Sequence, residues 1–298
     1  MHTKKYVPWL LIAPTIVVLL SAGVFPLVYS VWLSGHRYRL LAAAEGIRPV
    51  GFKNYINIFL GNTSLGISLG ETLKITLIFI GICLALEISL GLIMAIAFSS
   101  QRSPGFRFLR ILMMIPMLIA PVVVGNMFKY MYQYSFGLFN FVLGLIRINP
   151  PGWLSDPRWA LSSIIITNVW EWVPFSFLVF LAAIFGVPDQ QREAAWIDGA
   201  NSWQEFWYIV IPGIKAAILI VLLIRSIELL KTFDIVYSVT LGGPGTSTSI
   251  LPFNAYVLGF RNFAMGEAAA YGYYMVAVVN IVVILFIRFL QREIKGAI

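Results

Sequence analysis

Charge is scarce in this chain. Asp, Glu, Lys and Arg together make 11% of its 298 residues, against about 25% in an ordinary soluble domain. Cysteine is nearly absent: Cys83 stands alone in an apolar run, which excludes an intrachain disulfide. Histidine is as rare. His2 and His36 lie far from any second ligand, so no zinc or haem site is expected. No Walker A sequence occurs, so this chain does not by itself cradle a nucleotide. No nucleophile–base constellation points to an enzyme either.

What fills the space is apolar. Hydrophobic residues reach 59% and the mean hydropathy is +0.85. A chain of this composition cannot hide its apolar surface from water, so the expected class is an all-α polytopic membrane protein. The net charge of +8 then reads as loop residues that orient helices and meet anionic lipid, not as a nucleic-acid surface.

Six spans are predicted, at about residues 9–33, 73–99, 109–130, 159–185, 214–230 and 264–289, in one transmembrane domain covering 1–298. The first carries Pro14 and Pro26. It follows Lys4 and Lys5 and is longer than a secretory signal, so it is taken as an uncleaved span. Gly81/Ala85 and Gly91/Ala95 in the second span are small-xxx-small pairs suited to close helix packing. Pro116 and Pro121 are expected to bend the third. A short interfacial helix is expected around Gly137 to Ile146, and a short amphipathic piece around Gly51 to Tyr55.

An even number of spans puts both termini on one side. Ten basic residues (Lys4, Lys5, Arg102, Arg107, Arg110, Arg192, Lys215, Arg288, Arg292 and Lys295) fall in the segments on that side. Seven fall in the longer opposite loops: Arg37, Arg39, Arg48, Lys53, Arg147, Arg158 and Arg261. The denser side is cytoplasmic by the positive-inside rule, although Arg37 and Arg39 oppose it. This places the polar stretch 189–213 in the cytoplasm. There Asp189 is a plausible N-cap, Gly199 a helix stop, and Ser202-x-x-Glu205 a capping box that opens a second helix.

Within that stretch, Glu193-Ala194-Ala195-x-x-Asp198-Gly199-Ala200, followed by Ile209-x-Ile211-Pro212, resembles the EAA loop of binding-protein-dependent ABC importer permeases. Ile211 stands where that family usually has Leu. The block from Arg225 to Tyr237, with Thr240 and Gly242-Gly243-Pro244-Gly245, looks like the carbohydrate-uptake branch and, within it, the F-type subunit of maltose permeases. The resemblance implies a type I ABC importer permease fold in the inner membrane of a bacterial or archaeal cell. It implies a second, distinct permease subunit, two cytoplasmic ATPase subunits that hold ATP and Mg, and an extracytoplasmic solute-binding protein, with no cofactor in this chain. Glu193, Ala194, Ala195, Asp198 and Gly199 would then form the coupling helix and its turn, with Glu193 paired to a basic residue of the ATPase.

Charges inside spans are costly and usually functional. Glu171, flanked by Trp170 and Trp172, is the leading solute contact, because aromatic faces stack on sugar rings and a carboxylate accepts hydroxyl hydrogens. A structural ion pair is its alternative, and interfacial anchoring is the better reading of the two tryptophans. Asn168, Tyr237 and Asn280 are weaker contacts. Arg225, Glu228 and Lys231 recur every three residues and read best as a salt-bridge cluster, with Glu228 and Lys231 kept as pathway candidates. Glu87 is left with two choices, Lys129 or the partner subunit. The Gly242–Gly245 loop either meets the binding protein or is a tight re-entrant turn. Two alternatives stand beside the carbohydrate reading. Another solute is the first: Arg225 and Lys231 would suit an anion such as a sugar phosphate, and Glu171 and Glu228 a cation such as a polyamine. Glu87, Glu171 and Glu228 would suit a proton- or sodium-coupled secondary transporter, against which the lack of a paired inverted repeat counts.

Overall fold

The computed structural model describes residues 7–99 and 104–295. His2, Lys4, Lys5 and Arg102 lie outside the described residues, and so do the side chains of Arg292 and Lys295. Among the described residues, five helices are long and apolar enough to cross a membrane, and a sharply bent pair brings the number to six. The chain divides into two compact units, one of residues up to Glu71 with Asn254–Ala277, the other of Thr72–Phe253 with the segment from Val278 onward.

The first unit opens with α1 (Val7–Val18) and α2 (Phe25–Ser34). Neither Pro14 nor Pro26 breaks this run. A π-turn, Leu19–Val24, joins the two helices, and the Phe25 N–H donates to Leu20 O five residues back, so the ladder closes just before the residue that lacks a donor. A two-residue antiparallel pair follows, β1 (His36–Arg37) with β2 (Arg48–Pro49), in the register His36↔Pro49. Then comes α3 (Lys53–Leu60), closed by Gly61 at φ +80°. Buried Asn54 donates to Ser34 O (2.8 Å) and His36 O (2.9 Å) and so ties α3 to the end of α2. Tyr273 donates to Leu27 O at 2.8 Å and Tyr274 to Tyr55 O at 3.2 Å.

The second unit draws on α4 (Leu69–Ser99), α5 (Pro104–Met114), α6 (Pro121–Met131), α7 (Leu138–Leu145) and α8 (Pro157–Phe185). It continues with α9 (Asp189–Ile197), α10 (Ser202–Glu205), α11 (Ile211–Leu229) and α12 (Asp234–Val239). The two remaining helices are α13 (Leu251–Tyr256) and α14 (Met265–Lys295). The expected third span is not one bent helix. Pro116 and Pro121 break it, and the two halves meet at 95°. Each proline sits in the first turn of a new helix, where its missing N–H costs nothing.

Helix α8 is the centre of this unit. Two thirds (67%) of its apolar window is buried, whereas none of the other four long helices exceeds 28%. Its start is capped by Asp156, whose carboxylate accepts from the Arg158 guanidinium (2.8 Å) and backbone N–H (2.9 Å). Those bonds, the guanidinium's first, hold Asp156 below the usual carboxylate range. Around α8 pack Ala95 of α4 and Ile214 and Val221 of α11, against Phe177, Phe180 and Ile184. Of the two small-residue pairs, Gly91/Ala95 serves this contact. A Cβ on Gly91 would meet Ser176 Cβ at 2.6 Å and the Phe177 nitrogen at 2.9 Å. Gly81 meets nothing within 4 Å, so among the described residues no packing contact falls on Gly81.

Gly91→Leu should therefore destabilise the protein by about 1–3 kcal/mol through overpacking, and Gly81→Ala by less than about 0.5 kcal/mol. Thermal melts in detergent check both, and equal effects would refute the assignment.

Candidate functional site

The loop between α8 and α11 is ordered by its own hydrogen bonds. Helix α9 starts after Pro188, which offers no side-chain cap, so Asp189 is not the N-cap. It lies inside the first turn, where a carboxylate favours the helix dipole. The far end is a Schellman closure: the Gly199 N–H donates to Trp196 O (3.1 Å) and the Ala200 N–H to Ala195 O (2.9 Å). Gly199 takes φ +81°, which a side chain would strain. The capping box also differs from expectation by one residue. The Gln204 N–H donates to Asn201 Oδ1 and the Asn201 N–H to Gln204 Oε1, both at 2.9 Å. Asn caps as well as Ser, and this register releases Glu205 from capping.

Glu205 is thus turned inward. Arg192 Nε donates to its Oε1 at 2.6 Å and Trp196 Nε1 to its Oε2 at 2.8 Å, with the Glu205 side chain only 8% exposed. The opposite face of α9 is open: Glu193, Ala194, Ile197, Asp198 and Gly199 are exposed and Ala195 is half-buried. From Glu205 the chain continues without a break, through a π-turn at Phe206–Val210, into α11.

Deeper in the unit, three helices meet on one guanidinium. Arg225 of α11 donates through Nε to Glu87 Oε2 (2.7 Å) and through a terminal nitrogen to Glu87 Oε1 (2.9 Å). It also reaches Asn168 Oδ1 of α8 at 3.2 Å. The Trp172 ring lies under it, 4.3 Å from centroid to guanidinium carbon. Arg225 and Glu87 are both buried. Charge pairing, a two-pronged fork and cation–π contact compensate their removal from water. This corrects two expectations. Glu87 pairs with Arg225 and not Lys129, and Glu228 pairs with Lys231 (3.6 Å, both about half exposed) and not Arg225. Depth along the helices carried the signal. Glu87 lies 12 residues before the end of α4 and Arg225 lies 14 after the start of α11, about 18 and 21 Å along helices from ends that span parity puts on one side. Lys129 sits at the opposite end of its span.

Beside Arg225 is a cavity of about 100 Å³, lined by Asn168, Trp172, Glu228, Lys231, Phe233 and Asp234 among others. Asn168, Glu228 and Lys231 are thus brought together. The rest are not. Glu171 is buried, with Oε2 lacking a hydrogen-bond partner, and it does not line the cavity. Trp170 points to an apolar groove with Leu86, Leu90, Met94 and Pro174, its ring 5.2 Å from Phe128. Two positions apart on a helix is about 200°, so Trp170 and Trp172 do not flank one sugar. Tyr237 stacks on Phe233 at 5.3 Å, and Asn280 is exposed on α14. The Gly242–Gly245 loop is a tight turn, with Thr248 Oγ1 donating to Gly243 O at 2.9 Å and Gly242 packed on Phe253.

A polytopic helical protein with a capped, exposed helix before its fifth span and a polar cavity between its spans has the form of a transport permease. The chain belongs to the family described as binding-protein-dependent transport system inner membrane component, which matches residues 87–296. It is 33% identical over 263 residues to the trehalose/maltose transport system permease protein MalF of Thermococcus litoralis, covering 87% of this chain and 86% of that one. It is 30% identical to the sulfoquinovosyl glycerol transport system permease protein SmoG of Agrobacterium fabrum (95% and 90% covered). Against the sn-glycerol-3-phosphate permease UgpA of Rhizobium meliloti it is 29% identical (98% and 97% covered). The fold is that of a bacterial alginate ABC transporter crystallised with its alginate-bound periplasmic protein, at a TM-score of 0.79 and 24% identity over 96% of this chain and 95% of that one. The chain is an inner-membrane ABC importer permease, as the loop and the F-type block suggested, and the gradient-driven alternative is set aside.

Removing one partner of the buried pair should be far worse than removing both. Arg225→Ala strands the Glu87 charge and should cost about 3–5 kcal/mol, whereas Glu87→Leu with Arg225→Met should recover most of it. Melting temperatures of the three purified proteins decide. A double variant as unstable as Arg225→Ala would count against charge stranding as the cause.

Proposed function

We propose that this chain is one half of a heterodimeric, ATP-driven importer that carries a neutral carbohydrate, with its termini in the cytoplasm. The other parts are a second permease, two ATPase subunits that hold ATP and Mg, and an extracytoplasmic solute-binding protein; this chain itself holds no cofactor and catalyses no reaction. The observation that carries the reading is the preformed loop: α9 is closed at its C-terminal end by local bonds and offers Glu193, Ala194 and Ile197 to a partner. Glu193 pairs with a cation of the ATPase, the small Ala194 and Ala195 let its backbone approach, and Asp198 and Gly199 form the turn. Closure of the ATPase dimer moves α9, and α9 moves the spans.

For the solute, the charges around the cavity support a neutral sugar over a sugar phosphate. Its two cations are already engaged, Arg225 by Glu87 and Lys231 by Glu228. Asp234 adds a further carboxylate to the lining. No unspent positive charge faces an anion there, while Asn168, Glu228 and Asp234 suit hydroxyl donors and Trp172 and Phe233 offer flat faces. A cavity of about 100 Å³ is well below the roughly 300–1,000 Å³ of small-molecule pockets, so it must widen before a sugar passes. The names of the maltose and sulfoquinovosyl glycerol relatives support the carbohydrate class.

In proteoliposomes with ATPase and binding protein, Glu193→Lys and Gly199→Asp should each lower uptake about tenfold or more while membrane insertion is unchanged. Normal uptake through a disrupted loop would sink the reading. Maltose-type sugars should outcompete glycerol 3-phosphate for transport; the reverse order would assign the anion instead.

A further inference from the structure

The inner face of α9 holds a contact that the docking role does not require. Arg192 and Trp196 are four residues apart and share one side of the helix, about 100° around it from Glu193 and Ile197. Both donate to Glu205, one to each carboxylate oxygen, at 2.6 and 2.8 Å. Glu205 ends α10, and the chain from there is helical into α11. The backbone link between α9 and α10 runs through Gly199, at φ +81°, and Ala200, a junction with no side chain beyond a methyl to stiffen it. A load applied to α9 has two outlets: rotation at Gly199–Ala200, or transfer through the Glu205 carboxylate.

We infer that Glu205 is a positioning residue that locks α9 to the start of α11, so that displacement of α9 becomes displacement of the fifth span. The inference rests on the reading of α9 as the coupling helix. The lock suits this task because a charge-assisted bond from Arg192 and an indole bond from Trp196 fix two points four residues apart, which stops both sliding and rotation. Severing it leaves the outer face of α9, and hence ATPase docking, in place. What is lost is transmission: ATP is hydrolysed while α9 swings at the glycine.

The test uses the assembled importer in liposomes with its solute-binding protein and measures solute moved per ATP hydrolysed. E205Q, R192M and W196F are compared with the parent, and Glu193→Lys is run beside them. The expected result is ATPase subunits co-purifying at the parental ratio, with transport per ATP lowered about tenfold in E205Q and R192M, and less in W196F. R192M with E205Q should be no worse than either alone, since both remove one bond. Unchanged transport per ATP in all three single variants overturns the proposal, as does loss of ATPase subunits, which would make Glu205 a docking determinant. If E205Q fails to insert, R192M and W196F carry the same test. Failure of the underlying reading looks different: Glu193→Lys would then leave both co-purification and uptake intact.

Discussion

A guanidinium placed inside a membrane span needs a counter-charge, and the second unit is arranged around meeting that need. Arg225 lies on α11, its carboxylate Glu87 on α4, and its amide and aromatic partners Asn168 and Trp172 on α8. Three helices must therefore meet at one depth and in one rotation. Apolar packing alone would not impose that, because in lipid Leu against Leu is worth no more than Leu against an acyl chain. Gly91 lets α4 come close enough to α8 for the pair to form. The central place of α8 follows from the same geometry, since it is packed between the two helices that carry the charges.

Helix α11 joins this centre to the loop. Glu205, the last residue before its π-turn, and Arg225 are 20 residues apart, about 30 Å of continuous helix. One end is bonded to α9, the other to α4 and α8, and the cavity borders the second. The bonded loop and the cavity thus lie along one continuous helical element. The π-turn at Phe206–Val210 and the proline-led start of α11 are the places where that element can bend. The Arg225 fork supplies the fulcrum, because it is the point at which α11 is least free to slide.

Much of this was legible in the residues. The spans follow from hydropathy, and Gly199 as a helix stop follows from the need for positive φ. The exposed Glu193–Ala194 face follows from helical spacing. The capping register is not legible, because Asn201/Gln204 and Ser202/Glu205 satisfy the same motif one residue apart, and it takes the Arg192 and Trp196 bonds to Glu205 across the loop to choose between them. The partner of Glu87 was lost by reading Arg225, Glu228 and Lys231 as a set along one helix, when the strong attraction ran between helices. Trp170, Glu171 and Trp172 formed a group in sequence only, since neighbours on a helix point in different directions. In each case a local pattern was correctly seen, and a contact distant in sequence decided its use.

The charge pattern around the cavity also bears on how such a site works. A pathway lined by unpaired cations would bind an anion tightly and release it slowly. Here Lys231 is tied to Glu228, and Arg225, which also lines the cavity, is held by Glu87, which does not. On the proposed reading, what remains for a solute is hydrogen bonding and ring contact, weak enough to be exchanged as the helices move. Arg225 is then positioned as architecture, with its charge already satisfied, and its neighbours Asn168 and Trp172 face the cavity in an orientation that the ion pair fixes. Motion of α11 about that pair would shift Glu228, one turn further along α11, relative to Asn168 and Trp172 on α8. The two sides of the cavity would separate without breaking the bond that holds the unit together.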